Sequence, residues 1–181
     1  MKKKIQSFEV LEPKNQLFLY SYEKLFKQFI LMYEKKTLPN VVLLSGVKGI
    51  GKSTFAYHLC NYLLSKNDDN AYSINDYKIN ENNSTYKLIN TSTHPNFFTI
   101  ENNFDSKNIK IEQIRNLIIF LNKTTYSKDL KFVIIDNSER LNLNSSNALL
   151  KSMEEPNENT FFFIIHDSSF KLLNTIKSRC I

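Results

Sequence analysis

The sequence predicts an α/β fold in which a parallel β-sheet is covered by helices on both faces. Apolar runs of five or six residues alternate along the chain with longer segments of helical periodicity. The runs VVLLS at 41–45 and KFVIID at 131–136 lack the polar alternation of a half-exposed strand, which is typical of strands buried on both faces. Strands separated by helices pair in parallel, because each helix crosses back over the sheet before the next strand begins.

The same pattern defines the elements from residue 20 onward. The predicted helices span 20–36, 52–65, 111–121, 144–155 and 169–178, and the predicted strands span 41–45, 97–101, 131–136 and 160–165. The first helix presents an aromatic face formed by Tyr22, Phe26, Phe29 and Tyr33.

Residues 67–96 break this alternation. The segment is rich in asparagine and has weak periodicity, which predicts an insertion with one short helix and long loops. A loop of this length within a compact domain indicates either a specific role or a lack of ordered structure. The sequence leaves both readings open.

Composition and charge exclude few classes of protein. The net charge of +6 favours an anionic partner such as a nucleotide or a nucleic acid, but the charge is scattered along the chain. The two cysteines, Cys60 and Cys180, stand too far apart in the sequence to suggest a disulfide framework. No apolar stretch approaches the roughly 20 residues of a membrane span. We therefore expect a cytoplasmic protein with no membrane partner.

All three glycines of the chain fall within the stretch GVKGIGKST. Gly46 and Gly51, followed by Lys52 and Ser53, fit the spacing G-x-x-x-x-G-K-[ST] of a phosphate-binding P-loop, and Gly49 lies inside it. Such a loop wraps a phosphate closely and turns its backbone N–H groups inward, which requires positive φ angles and no Cβ in the way. The stretch lies between a predicted buried strand and a predicted helix, as the motif requires.

The motif assigns a role to each polar residue near it. Lys52 would reach the β- and γ-phosphates of ATP, and Ser53 would ligate Mg²⁺. Thr54 follows them and is grouped with the nucleotide-binding residues. Asp136 ends a predicted buried strand at the position of a Walker B carboxylate, and would hold Mg²⁺, usually through water, opposite Ser53.

The residue after Asp136 departs from an active ATPase. Many P-loop ATPases carry a glutamate there that activates the attacking water, whereas this chain has Asn137. An amide cannot accept that proton, although it can still orient a water. Glu139 is close in sequence but is expected to point away from the γ-phosphate. The sequence therefore predicts ATP binding with weak or no hydrolysis by the chain itself.

Longer segments carry a family resemblance. LPNVVLLSGVKGIGKSTFAYHLCNYLL, HPNFFTIE, IKIEQIRNLIIFLNK, KFVIIDNSERLNLNSSNALLKSMEEPNENTFFFI and LLNTIKSRC follow one another in the order and spacing of bacterial clamp-loader subunits. The chain resembles this family, and within it the delta-prime subunits of DNA polymerase III. NALLKSMEEP and SRC are more specific than the P-loop. The resemblance omits residues 67–96 and roughly the first 15 residues.

The resemblance implies an AAA+ ATPase fold over residues 1–181. This fold is a three-layer sandwich around five parallel strands in the order 5-1-4-3-2. The fifth strand would begin at Ile181, so it is expected to be truncated or barely present. A lid and a C-terminal collar domain, both typical of the family, are expected to be absent from this chain.

The resemblance also implies roles for residues near the C-terminal end. In this family the SRC segment supplies an arginine finger, so Arg179 would reach the ATP site of a neighbouring subunit, with its position set by Ser178 and Cys180. The sensor-1 position falls on His166 or Asp167, neither of which is the usual residue. His166 is alternatively a packed histidine.

The implied cofactor is ATP with Mg²⁺, and the implied partners are the gamma/tau and delta subunits, the sliding clamp and primer–template DNA. Arg115 is the candidate for a DNA contact, and a solvent-facing helix arginine is an equal alternative. Related subunits often carry a four-cysteine zinc site after the P-loop helix. No zinc site is expected here, because no cysteine lies between Cys60 and Cys180.

The function implied is that of a DNA polymerase III subunit that helps load the sliding clamp onto primed DNA in replication. Three alternatives stay open: a competent ATPase of the gamma/tau type, an unrelated P-loop nucleotide kinase, and an architectural domain that binds no nucleotide. A kinase would also carry a substrate lid with several arginines, and no such segment stands in the sequence.

Overall fold

The computed structural model of the protein describes residues 11–101, 108–123, 130–157 and 159–181. Within these ranges four parallel strands form one sheet in the order β1-β4-β3-β2. The strands are β1 (Val41–Gly46), β2 (Phe97–Ile100), β3 (Lys131–Ile135) and β4 (Thr160–Asp167). The α/β class and the predicted order 1-4-3-2 are confirmed.

Helices cover the sheet. They are α1 (Glu23–Glu34), α2 (Lys52–Leu64), α3 (Ser84–Asn90), α4 (Ile111–Asn122), α5 (Leu143–Glu154) and α6 (Asn174–Lys177), with short 3-10 turns at Pro13–Asn15 and Ser138–Arg140. Most lie within a few residues of their predicted bounds, and α1 is shorter than the predicted 20–36.

Alternate residues of each strand enter two separate hydrophobic cores. In β3, Phe132 and Ile134 pack in the core that contains α1, α2 and α3. Val133 and Ile135 pack in the core that contains α4, α5 and α6. All four side chains are fully buried, and burial of an apolar side chain of this size stabilises a fold by roughly 1.5–3 kcal/mol. The helices therefore form one layer on each side of the sheet, and the predicted three-layer sandwich is confirmed.

The backbone of Ile181 pairs with β1 on the edge away from β4. Its N–H donates to the Val41 carbonyl at 3.2 Å, and its carbonyl accepts from the Leu43 N–H at 2.9 Å. The groups that face β4 belong to the alternate residues: the Asn40 carbonyl accepts from the Phe162 N–H at 2.7 Å. Ile181 therefore stands where the fifth strand of the order 5-1-4-3-2 would begin.

The asparagine-rich segment 67–96 is ordered and holds the helix α3. Four of its apolar side chains are buried in the core on the α2 side of the sheet: Tyr72, Ile79, Tyr86 and Ile89. Asp68 accepts hydrogen bonds from the hydroxyls of Ser84 and Thr85, in the first turn of α3. A carboxylate at this end of a helix satisfies backbone and side-chain donors and opposes the positive end of the dipole. The segment therefore contributes to the core.

The predicted helix over 169–178 is wrong in its first half, because α6 begins only at Asn174. The Phe170 N–H donates to the Asp167 carbonyl at 3.0 Å, and the Phe170 carbonyl accepts from His166 Nε2 at 3.1 Å. These bonds close a turn after β4, and the histidine occupies the Phe170 carbonyl, which in an α-helix would accept from the N–H of Asn174. The helical spacing of apolar residues in the sequence did not reveal that these turn hydrogen bonds would form in place of helical ones.

Candidate functional site

The glycine-rich loop lies between β1 and α2, at the carboxyl edge of the sheet. Gly49 and Gly51 have φ angles of 86° and 91°, in the left-handed region that L side chains rarely adopt. A Cβ on Gly51 would stand 3.2 Å from Cε2 of Tyr22, and a Cβ on Gly46 would stand 2.6 Å from Cδ1 of Ile50. Glycine is therefore required by backbone conformation at two positions and favoured by close packing at a third.

Lys52 begins α2 and its side chain returns to the loop. Its Nζ donates to the carbonyls of Gly46 and Val47, both at 2.7 Å. Thr54 follows in the first turn of α2 and is half-buried. The N-terminal end of this helix adds the positive pole of its dipole to the lysine charge, and both favour a negative charge at the loop.

Ser53 and Asp136 meet beside the loop. The Ser53 hydroxyl donates to Asp136 Oδ2 at 2.9 Å, and the Asn137 N–H donates to Oδ1 at 2.8 Å. Burial raises the pKa of Asp136, and the charges of Glu101 and Glu139 raise it further, against the lowering effect of these two bonds. The structure thus brings a hydroxyl and a carboxylate together where the sequence placed two oxygen ligands for Mg²⁺.

Asn137 and Glu139 occupy the turn that follows β3. Asn137 has a φ of 54° and precedes the 3-10 turn. Glu139 accepts a hydrogen bond from the Asp167 N–H at 3.1 Å, so its carboxylate joins the end of β3 to the end of β4. The Glu139 carboxylate therefore serves to hold the turn after β3 against the end of β4.

His166 is 7% exposed at the end of β4. Its Nε2 lies 3.1 Å from the Phe170 carbonyl, and its Nδ1 lies 3.0 Å from the Ser45 hydroxyl. Because a carbonyl can only accept, Nε2 carries the proton and Nδ1 accepts from Ser45. The neighbouring Asp167 accepts from the Ser169 N–H at 3.0 Å. Of the two sensor-1 candidates, His166 is packed and bonded on both ring nitrogens.

Arg179 lies away from the glycine-rich loop of its own chain. Its Nε donates to Glu154 Oε1 at 2.7 Å, Nη2 donates to the same oxygen, and Nη1 donates to the Thr175 carbonyl at 2.9 Å. Ile181, two residues on, pairs beside Val41 at the start of β1, whereas the loop follows the end of β1. Arg179 therefore lies toward the amino ends of the strands, whereas the P-loop lies at their carboxyl ends.

The remaining predicted residues are dispersed. Arg115 is exposed on α4. Cys60 is buried and Cys180 is half-buried, and both are free thiols. Across the described ranges no three His, Cys, Asp or Glu side chains come together as a metal-binding group. In the same ranges no helix is long and apolar enough to cross a membrane.

Glu101 was not among the residues picked from the sequence. Directly after β2, its carboxylate accepts a hydrogen bond from the Tyr57 hydroxyl, which also contacts Thr99 Oγ1 at 3.3 Å. Burial raises the pKa of Tyr57, and the charge of Glu101 raises it further. The available signal was that Glu101, like Asp136, closes a predicted strand, and that the implied order 5-1-4-3-2 puts those two strands side by side.

A parallel sheet in this order, with a P-loop after β1 and an aspartate after β3, defines a P-loop domain of the AAA+ fold class. The chain belongs to the family whose model is described as "DNA polymerase III, delta subunit", which matches residues 21–181.

Curated relatives carry the same assignment. The chain is 36% identical over 139 residues to "DNA polymerase III subunit delta'" of Pseudomonas aeruginosa, a match that covers 77% of this chain and 40% of the relative. It is 25% identical over 155 residues to the Escherichia coli protein of that name, with 86% and 45% covered. The chain therefore spans less than half the length of these relatives.

Among solved structures, a "DNA polymerase III, gamma subunit-related protein" of Thermotoga maritima is similar to this chain. The TM-score is 0.57 and the identity 21%, over 86% of this chain and 44% of that one. This likeness supports the fold.

Proposed function

We propose that residues 1–181 act as the nucleotide-binding core of a delta-prime-type clamp-loader subunit of DNA polymerase III. In this role the chain helps load the sliding clamp onto primed DNA. Membership of the family and the AAA+ fold support this proposal. The observation that carries the nucleotide part is the convergence of the P-loop, Lys52, Ser53 and Asp136 at one edge of the sheet.

The residues present fit a magnesium-bound nucleoside triphosphate. The positive φ angles of Gly49 and Gly51 form a loop that only residues lacking a Cβ adopt easily. Lys52 supplies a cation at that loop, and the paired oxygens of Ser53 and Asp136 are ligands that Mg²⁺ prefers. When bound, Mg-ATP would supply a γ-phosphate whose presence or loss distinguishes two states of the subunit.

The chain retains nucleotide more readily than it splits it. The amide of Asn137 cannot take a proton from water. Glu139, the next acidic side chain along the turn, already accepts a bond from the backbone of Asp167. Slow or negligible turnover by the isolated chain follows from these two positions.

Arg179 acts in trans on the ATP site of a neighbouring subunit. Its location toward the opposite edge of the sheet from its own P-loop supports this role. The Arg179 side chain is 29% exposed and the Glu154 side chain is 48% exposed. An exposed ion pair of this kind contributes only about 0.2–1 kcal/mol, so the γ-phosphate of a neighbour can replace Glu154.

The proposed role also requires contacts with other proteins and with DNA. The gamma/tau and delta subunits are the proposed partners, and the sliding clamp is contacted through the complex. Arg115 is exposed on α4 and is the proposed contact to the backbone of primer–template DNA in the cytoplasm.

Reconstitution of the clamp-loader complex tests this function. The chain should co-purify with the gamma/tau and delta subunits, and the DNA-stimulated ATPase of the complex should fall with Arg179→Ala by the large factors typical of trans arginine fingers, roughly 10³ or more at the affected site. Lys177→Ala is the matched control, since it removes an exposed positive charge two residues away to which no contact is assigned. Vigorous ATP hydrolysis by the chain alone, lost in Lys52→Ala, would instead indicate a competent ATPase.

A further inference from the structure

The pairing of β2 with β3 brings two carboxylates together. Ile100 and Ile135 are opposite each other in this parallel pair, and the Asp136 N–H donates to the Ile100 carbonyl at 2.9 Å. Glu101 and Asp136 therefore follow adjacent strands at the same level of the carboxyl edge.

One face of α2 holds both carboxylates. Ser53 and Tyr57 are four residues apart, so they lie on the same side of the helix. The Ser53 hydroxyl donates to Asp136 and the Tyr57 hydroxyl donates to Glu101. The helix that begins at the P-loop therefore fixes Glu101 as it fixes Asp136.

The backbone at Glu101 is held from the other face of the sheet. Gln113, in the first turn of α4, donates from Nε2 to the Glu101 carbonyl at 3.1 Å. Glu101 is half-buried. Of the ion pairs found in residues 11–101, 108–123, 130–157 and 159–181, none involves Glu101 or Asp136. Two neighbouring carboxylates without a cation repel each other, and a bound cation relieves that repulsion.

We propose that Glu101 is the second carboxylate of the nucleotide site and positions the water shell of Mg²⁺ jointly with Asp136. This inference rests on the proposed function and adds a residue to it. Mg²⁺ dehydrates reluctantly, keeps several waters, and is held by one or two carboxylates together with phosphates. Glu101 thus supplies, from the neighbouring strand, a negative charge that the amide of Asn137 does not supply.

The test measures the affinity of the chain for a fluorescent ADP analogue in Mg²⁺ and in EDTA. The wild-type chain should bind more tightly in Mg²⁺ than in EDTA, and the ratio of the two affinities is the magnesium gain. Glu101→Gln should reduce this gain about tenfold, the size typical of residues that orient metal ligands. In EDTA the variant should match or exceed the wild type, because a negative charge near the phosphates is removed. A purely structural role for Glu101 would weaken binding equally in both conditions.

Glu139→Gln is the matched control. It also removes a charge that acts on Asp136, and its amide oxygen can still accept from the Asp167 N–H. It should keep the magnesium gain. Tyr57→Phe retains Glu101 but removes the hydroxyl that holds it, so it should lose part of the gain.

Four results would overturn the inference. Glu101→Gln with the full magnesium gain would show that the carboxylate does not serve the metal. An equal loss in Glu139→Gln would reduce the effect to general charge. A wild-type chain that binds the analogue equally in Mg²⁺ and in EDTA would reject this inference alone, whereas one that binds it in neither condition would reject the proposed nucleotide role as well, which separates the two failures.

Discussion

Arg179 donates from both Nε and Nη2 to one carboxylate oxygen of Glu154, and this joins the SRC segment to the end of α5. The two residues are 25 positions apart in sequence. Both belong to segments that the sequence marked as specific, NALLKSMEEP and SRC. Glu154 is therefore a partner within the same chain for an arginine that we propose acts on the ATP site of a neighbouring subunit.

The first prediction concerns the strength of this pair. Because both side chains are partly exposed, Glu154→Gln and Arg179→Ala should each lower the free energy of unfolding by no more than about 1 kcal/mol. Urea denaturation of the single and double variants gives the coupling energy directly. A coupling above roughly 2 kcal/mol would mean that Arg179 is too firmly held to be exchanged between partners.

The second prediction concerns the lysine of the loop. Lys52→Met should weaken nucleotide binding by roughly ten- to a hundredfold, since hydrogen bonds to a charged group contribute about 1.5–3 kcal/mol. Lys48→Met is the control, because Lys48 is an exposed lysine in the same loop. Calorimetric titration with Mg-ADP measures both. Similar losses in the two variants would indicate only general attraction by positive charge.

The third prediction concerns the pH dependence of stability. His58 is fully buried, with Nε2 donating to the Gln16 carbonyl at 2.9 Å and Nδ1 accepting from the Tyr72 hydroxyl at 2.9 Å. Burial lowers its pKa to about 4, below the value of 6.5 in the unfolded chain. Between these values the unfolded state binds the extra proton, so stability is full above pH 6.5 and falls as the pH drops toward 4.

The size of this effect is at most about 1.4 kcal/mol per pH unit for one group. Urea denaturation at a series of pH values measures the slope for the wild type and for His58→Gln. His94 also has a pKa lowered by burial, so it is kept in both proteins and its contribution cancels. Equal slopes in the two proteins would show that His58 does not carry the effect.

The fourth prediction concerns a buried lysine under α4. Lys131 is 6% exposed, and its Nζ donates to the carbonyls of Phe120, Leu121 and Lys123 at the end of the helix. A cation at this end satisfies free carbonyls and opposes the negative pole of the dipole. Lys131→Met keeps the aliphatic stem but loses these bonds, and should lower the free energy of unfolding by about 1–3 kcal/mol.

Lys123→Met is the control for that experiment, because Lys123 stands at the same helix end with an exposed side chain. Guanidinium denaturation compares the two variants. If Lys131→Met were as stable as Lys123→Met, the three carbonyls would be satisfied by water and the cap would have no energetic role.

The fold and the loop were predictable because their signals are local. The strands are continuous apolar runs, and the P-loop is defined by spacing within nine residues. The strand order implied by the resemblance already places β2 beside β3, but the meeting of Glu101 and Asp136 also depends on the register of the two strands, which no local pattern reveals. The bond between Arg179 and Glu154 likewise joins residues far apart in sequence.

The segment 67–96 shows a different limit. Tyr72 and Ile79 are buried although no regular helix or strand surrounds them, so their burial has no period to detect. Side-chain bonds of asparagine, serine and aspartate hold the intervening turns. Such contacts are set by three-dimensional packing, and the sequence shows only the polar residues that make them.

The buried imidazole of His58 has a consequence for the motion of α2. Through Gln16 and Tyr72 it fastens this helix to the segment before α1 and to the asparagine-rich segment. The middle of α2 can open to solvent only when both attachments break together, which makes the three stretches one cooperative unit. In a hydrogen–deuterium exchange experiment, the amides around His58 should therefore be among the slowest to exchange, and those of the first turn beside the glycine-rich loop should exchange much sooner.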